Sequence, residues 1–325
     1  MTDRFQTPGS FIPYGIALAL LALAFLVPPL RMILLMVVGT LVPVPLVLLS
    51  LQRGRNVGLI TITAVSVVLW LLLGPAMAIG FLAMYGVTAA AMAESTRLSF
   101  PFERIIVIST LAPTVLVLVI LFAGFAGEGE SSFKMLEDTV RITAESSLKS
   151  LKEAGESPAR IAEIRKSVNE TLPTLVRAIP AILLTGFLMA AVINFLVVRF
   201  LWRKFYSQQY FEGVDISRWM LPDIMVWVLI ASIGSLFLGM KFSQIAGMNL
   251  AIICLYLYLL QGLAVVVHIL KTKAFPKWVW IIVFVLIPLN PMFMGLVIGI
   301  GLFDIWVDFR KLRVTAPPDS GESPE

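Results

Sequence analysis

Long stretches without a single Asp, Glu, Lys, Arg or His alternate along this chain with short basic loops. Eight stand out: Phe5–Leu30, Met32–Gln52, Asn56–Ala93, Ile105–Gly127, Ala178–Val198, Ile224–Met240, Phe242–Val267 and Trp278–Phe303. The hydrocarbon core of a bilayer, about 30 Å thick, takes roughly 20 residues of helix, and a helix pairs its own backbone polar groups where lipid offers none. Each stretch therefore predicts membrane helix. Asn56–Ala93 is too long for one crossing and holds Gly74-Pro75, a helix-ending pair, so it predicts two helices near 57–73 and 76–93. The first stretch ends at Pro28-Pro29 with no small-residue cleavage site behind a basic leader, and reads as a retained helix.

The last stretch divides. Trp278–Leu289 spans only about 18 Å as a helix, and Pro288-Leu289-Asn290-Pro291 interrupts it before Met292–Phe309. Loop charges decide how it folds. Arg53 and Arg55, Arg97 and Arg104, the group Arg199, Arg203, Lys204 and Arg218, and then Lys271, Lys273 and Lys277 all fall on one side. The opposite short loops offer Arg31 and Lys241, so the basic side is expected in the cytoplasm, with Arg4 beside it. A hairpin at Pro288–Pro291 returns Arg310, Lys311 and Arg313 to that side. The expected fold is all-α: a polytopic transmembrane bundle of about nine to ten membrane segments, both termini cytoplasmic.

Gly127–Leu172 breaks the apolar pattern. Phe133, Leu136, Val140, Ala144, Leu148 and Leu151 recur at helical spacing, and Ile161, Ile164, Val168 and Leu172 resume it after Gly155. Ser157-Pro158 supplies a cap and a first-turn proline. This predicts an amphipathic helical hairpin outside the hydrocarbon, on the extracytoplasmic side by parity. Its seven basic residues oppose that side under the loop-charge rule, but nine acidic ones leave it slightly negative, and long segments weigh less in orientation. Its apolar stripe covers either its own partner helix and the membrane rim, or a ligand cavity or docking partner. Four regions follow: 1–126, a five-helix membrane bundle; 127–172, the charged hairpin; 173–312, membrane helices ending in the proline-broken hairpin; and 313–325, a tail expected to be disordered.

Composition narrows the chemistry. The 325 residues are 59% hydrophobic and 14% charged, with a mean hydropathy of +0.94, far from a water-soluble domain. One cysteine and one histidine exclude an intramolecular disulfide and the familiar cysteine/histidine metal clusters. The net charge of +5 reports membrane orientation, and nucleic acid is not an expected partner. No Walker A loop, GxGxxG, HExxH or GxSxG turn occurs, so neither enzymatic activity nor a cofactor is expected. The acidic residues and His268 fall near predicted helix ends, which disfavours a proton pump or voltage sensor.

Uncharged polar residues inside the apolar stretches are the candidates for binding. Tyr85, Asn194, Asn249, Tyr256 and Gln261 either hydrogen-bond between helices or line a cavity; Tyr256 and Gln261, five apart, face differently. Gly295 and Gly299 form a GxxxG that predicts a tight crossing, within the chain or to a partner. Asp304 and Asp308 lie one turn apart, with Lys311 beyond, as an interfacial ion-pair anchor or a partner contact that includes Arg310.

Two places resemble a known family. Leu172-Pro173, Ile179-Pro180-Ala181, Ala190-Ala191-Val192-Ile193-Asn194-Phe195 and Arg199-Phe200-Leu201-Trp202-Arg203 form one; Gly301-Leu302-Phe303-Asp304-Ile305-Trp306-Val307-Asp308-Phe309-Arg310 forms the other. Together with the intervening charged helices they resemble the YybS-like family of bacterial inner-membrane proteins of unknown function. The first five helices are also similar to substrate-binding S components of energy-coupling-factor transporters, through Pro43-Val44-Pro45-Leu46-Val47-Leu48-Leu49, Arg53-Gly54-Arg55 and Leu72-Leu73-Gly74-Pro75. That resemblance implies capture of a small solute, with transport energised by a separate coupling protein and two ATPases. The expected roles are thus a solute-binding or transport-associated protein of the bacterial inner membrane, or a scaffold recruiting envelope proteins through the hairpin.

Overall fold

The computed structural model describes residues 39–125, 132–206, 210–211 and 216–312; the stretch 1–38, with the first predicted helix, and the predicted tail 313–325 lie outside them. Every regular element among them is helical. The chain divides into two compact units, Met1–Val214 and Asp215–Glu325.

In the first unit, α1 (Pro43–Arg53) and α2 (Arg55–Leu73) are joined by Gly54, whose φ of 98° suits glycine. Gly74, at φ 90°, ends α2 where the sequence predicts, and α3 runs through Pro75–Arg97. One wide turn at Leu82–Gly86 interrupts the regular ladder of α3. The fourth helix, α4 (Phe102–Phe125), packs on α3 and on α6. Helix α5 (Ser132–Glu153) turns at Gly155 into α6 (Pro158–Phe205).

The hairpin forms as its periodicity demands. Leu148 and Leu172 are buried, and Ile161, Ile164 and Val168 are half-buried along the seam between α5 and α6. Arg165 donates to Glu145 across it at 2.7 Å, and Ser157 Oγ caps α6 by accepting from the Arg160 amide at 3.3 Å. The boundary drawn at 172/173 is not marked by any break. Helix α6 continues for 48 residues, about 72 Å, through Pro173 and Pro180, so one helix serves both hairpin and membrane bundle.

In the second unit, α7 (Ile224–Ser235) and α10 (Pro291–Val307) both pack on the central α8 (Lys241–Thr272). Between α8 and α10 lies α9 (Lys277–Leu289), bent 104° from α10 at Asn290. Asn290 Oδ1 accepts from the Met292 amide at 2.9 Å, starting α10 next to Pro291. The prolines thus mark a bend of 104°, and the two short helices make at most one broken span where a two-crossing hairpin was expected.

The count of nine to ten membrane segments is corrected downward. Among the described residues five helices are long and apolar enough to cross a membrane (α2, α3, α4, α6 and α8), or six if the bent α9–α10 pair is one span. Helix length is the reason. Among the described residues, the uncharged run ending at Gln52 has an 11-residue helix, α1, after a turn at Leu41–Val42, and the run from Ile224 has the 12 of α7, about 18 Å. The run Phe5–Leu30 lies outside the described residues. What remains is unmistakably a lipid-facing surface: only 11% of α2's apolar window is buried, and Leu71 is 77% exposed.

Candidate functional site

Two places gather the polar groups that the sequence singles out. In the first unit an apolar groove of about 380 Å³ runs between the start of α1, the wide turn of α3 and the middle of α6. Gly39, Thr40 and Pro43 form one edge, Met84, Tyr85 and Thr88 the second, and Ile182, Leu183, Gly186, Phe187 and Ala190 the third. Tyr85 sits in the wide turn, its hydroxyl beside Gly39 and its ring tilted against Phe81 at 6.0 Å. Such turns shift the register of a helix by one residue and recur at functional sites. The Thr88 hydroxyl is spent on the Met84 carbonyl at 2.8 Å.

Asn194, fully buried, does not line this groove but is bonded to two residues that do. Its Nδ2 donates to the Thr40 carbonyl at 2.9 Å and to the Ala190 carbonyl at 2.7 Å, both from groove-lining residues, while its Oδ1 has no donor. The expected interhelical bond is thus present, and an acceptor is left over. No described hairpin residue is among those lining the groove.

In the second unit Gln261, Asp304 and Arg310 meet in a buried node. Arg310 Nε and Nη2 donate to Asp304 Oδ2 at 3.1 and 2.6 Å, and Gln261 Nε2 adds a third donor at 3.2 Å. Arg310 Nη1 reaches the carbonyls of Ser217 and Trp219 at 3.0 and 2.7 Å, and Gln261 Oε1 accepts from the Leu221 amide at 3.2 Å. All donors converge on Oδ2, and Asp304 Oδ1 has none. Helix α10 ends at Val307; Asp308 adopts φ 47° and its Oδ1 accepts from the Leu312 amide at 2.9 Å, which folds Arg310 back. The exposed Asp304–Asp308–Lys311 anchor read from helical spacing is therefore replaced by a buried Asp304–Arg310 clasp, because the helix stops before the spacing applies.

The other candidates stand apart from both places. Asn249 donates to the Ile245 carbonyl of its own helix at 2.9 Å. Tyr256 packs against the Leu259, Ile287 and Val297 cluster with its hydroxyl buried. Gly295 and Gly299 face open space. The close crossing belongs to Gly262 and Gly301, which sequence reasoning missed: a Cβ on Gly262 would collide with the Val297 carbonyl, and one on Gly301 with that of Tyr258. Also missed were the 217–221 backbone groups that line the node, which carry no side-chain signal.

At the end of α6, Trp202 stacks near Tyr206 at 4.9 Å and Tyr210 at 5.6 Å. Burial pushes the Tyr206 phenol above its ordinary value, opposed by the Gln52 side chain.

Apolar helices with lipid-type surfaces and polar groups satisfied inside the bundle define a multi-pass α-helical membrane protein. The chain matches over residues 15–305 the family described as Predicted membrane protein (DUF2232), and it belongs to that family. Neither a curated protein nor a solved structure matches it.

Proposed function

We propose that this chain is a non-catalytic, ligand-binding protein of the bacterial inner membrane, transport-associated and energised by a separate partner, with the groove of the first unit as its ligand seat. The observation that carries this reading is the groove itself. Its volume of about 380 Å³ falls in the range of small-molecule sites, roughly 300–1,000 Å³, and Tyr85 is placed on it by an irregular turn. The chain's basic loops then face the cytoplasm and the hairpin faces outside.

Ligand binding to the folded state raises stability through linkage. A thermal-shift screen of the detergent-purified protein is expected to find stabilising solutes whose effect disappears in Gly186→Leu, which fills the groove. A broad screen with no shift, together with mass spectrometry finding no retained small molecule, would count decisively against this reading.

The second reading is a scaffold. It is favoured by Ile142, 69% exposed and off the packed stripe of α5, on a hairpin whose seam is already satisfied. Deleting residues 134–170 with a short glycine linker is then expected to abolish recovery of an envelope partner while the membrane bundle still folds; unchanged recovery removes the scaffold.

A further inference from the structure

The groove's surroundings indicate how its ligand arrives, an inference that rests on the ligand-binding reading above. Tyr85 and Met84 lie near the middle of the 23-residue α3, and Ile182–Ala190 occupy the centre of the uncharged run between Arg177 and Arg199. The groove is thus at mid-depth, away from both basic and acidic helix ends. Two of its walls, Met84 and Ile182, are 46% and 45% exposed on the bundle's outer surface, so it opens sideways. No charged residue is among the described residues that line it. A carboxylate or phosphate carried to that depth would find no countercharge. One polar demand remains: Asn194, whose Nδ2 donates to the Thr40 and Ala190 carbonyls of the groove wall, has a buried Oδ1 that accepts no hydrogen bond among the described residues. A buried acceptor in that state is costly until a donor reaches it.

We propose that the ligand is a bilayer-soluble amphiphile, which enters the groove laterally from the lipid, lays an uncharged apolar body along Gly186 and Tyr85, and offers one O–H or N–H donor to Asn194 Oδ1. A prenol or a long-chain alcohol has this chemistry. A water-soluble vitamin carrying a carboxylate does not.

The test uses the full chain in phosphatidylcholine nanodiscs with a diazirine-bearing prenol and its methyl ether, which lacks the donor. The prenol is expected to label peptides containing Met84–Thr88 and Ile182–Ala190, and the ether to label them about tenfold less, the worth of one hydrogen bond. Gly186→Leu should erase the labelling and Gly186→Ser should reduce it; neither side chain meets a neighbour within 4 Å at its Cβ, so both variants fold. Gly80→Leu, equally open, should leave labelling unchanged.

Equal labelling by prenol and ether, insensitive to Gly186→Leu, would mean ordinary lipid solvation and overturn the proposal. A photoreactive residue at position 85 that crosslinks to residues 1–38 in place of the probe would overturn it too, the groove then being an internal packing seam. Stabilisation by water-soluble carboxylates alone, lost in Gly186→Leu, would overturn the lipid class and leave the ligand-binding reading standing.

Discussion

Asp304 and Arg310 form an ion pair of 2.6 Å whose side chains are 1% and 0% exposed, although only six residues separate them and no helical face joins them. The pair ties the last described turn to α8 through Gln261 and to the 217–221 segment through two carbonyls. Removing one partner leaves a buried charge, at a cost of about 3–5 kcal/mol. Arg310→Met is expected to lower stability by that order, whereas Asp304→Leu combined with Arg310→Met should cost clearly less than the two single changes added. Equilibrium unfolding in mixed micelles measures the cycle; strict additivity would show that the two side chains act independently.

The glycines make a sharper ranking. Gly262→Ala and Gly301→Ala each place a methyl group against backbone of the facing helix, which no rotamer change relieves. Both should destabilise by roughly 1–3 kcal/mol, the usual cost of overpacking, and Gly301→Ala should also loosen the Asp304 clasp one turn away. Gly295→Ala and Gly299→Ala meet nothing and should be neutral in the monomer. Thermal unfolding of the four variants decides the order, and loss of stability in the second pair would reveal a partner on that face.

Asn194 holds α6 to the chain just before α1. Asn194→Leu forfeits the bond to Thr40 and is expected to cost about 0.6–1.7 kcal/mol, the range for hydrogen bonds between membrane helices. Asn194→Asp carries a charge to mid-depth and should be worse by at least about 2.5 kcal/mol. Insertion and unfolding assays read the two separately. If the aspartate variant behaves like the leucine one, water reaches this position.

Tyr206 gives a pH dependence. Its pKa is raised in the folded chain, so the folded state holds the phenol proton more tightly than the unfolded chain does. The associated stability is complete below the unfolded value, about 10, and is lost as pH rises through the folded value. Tyr206→Phe should therefore flatten the fall of melting temperature above pH 10 relative to the unaltered protein; parallel alkaline profiles would contradict the shift.

The punctuation of this fold was legible in its residues, and its neighbours were not. Gly74-Pro75, Ser157-Pro158 and Pro288–Pro291 marked a helix end, a cap and a bend because each acts through its own backbone. The hairpin stripe was legible because periodicity reports a buried face. Absence of charge, in contrast, says only that a stretch tolerates lipid; it does not say how far a helix runs, and Ile224–Met240 supplied 12 helical residues. The node escaped for a related reason. Reading Asp304, Asp308 and Lys311 as a ladder assumed that α10 continues, whereas the left-handed Asp308 ends it and returns Arg310. Gln261 was visible as a polar residue in an apolar helix, but its partner stands 43 positions away, a distance only the fold supplies. The true crossing glycines were hidden because GxxxG spacing does not say which face meets another helix.

Helix α6 carries hairpin residues at its beginning and the groove wall Ile182–Ala190 farther along, with Pro173 and Pro180 between them. Each proline deletes one rung of the hydrogen-bond ladder, so flexure concentrates at those two joints. The hairpin seam at Arg165–Glu145 and the cleft wall therefore belong to one rod, and a bend at either joint would move one relative to the other.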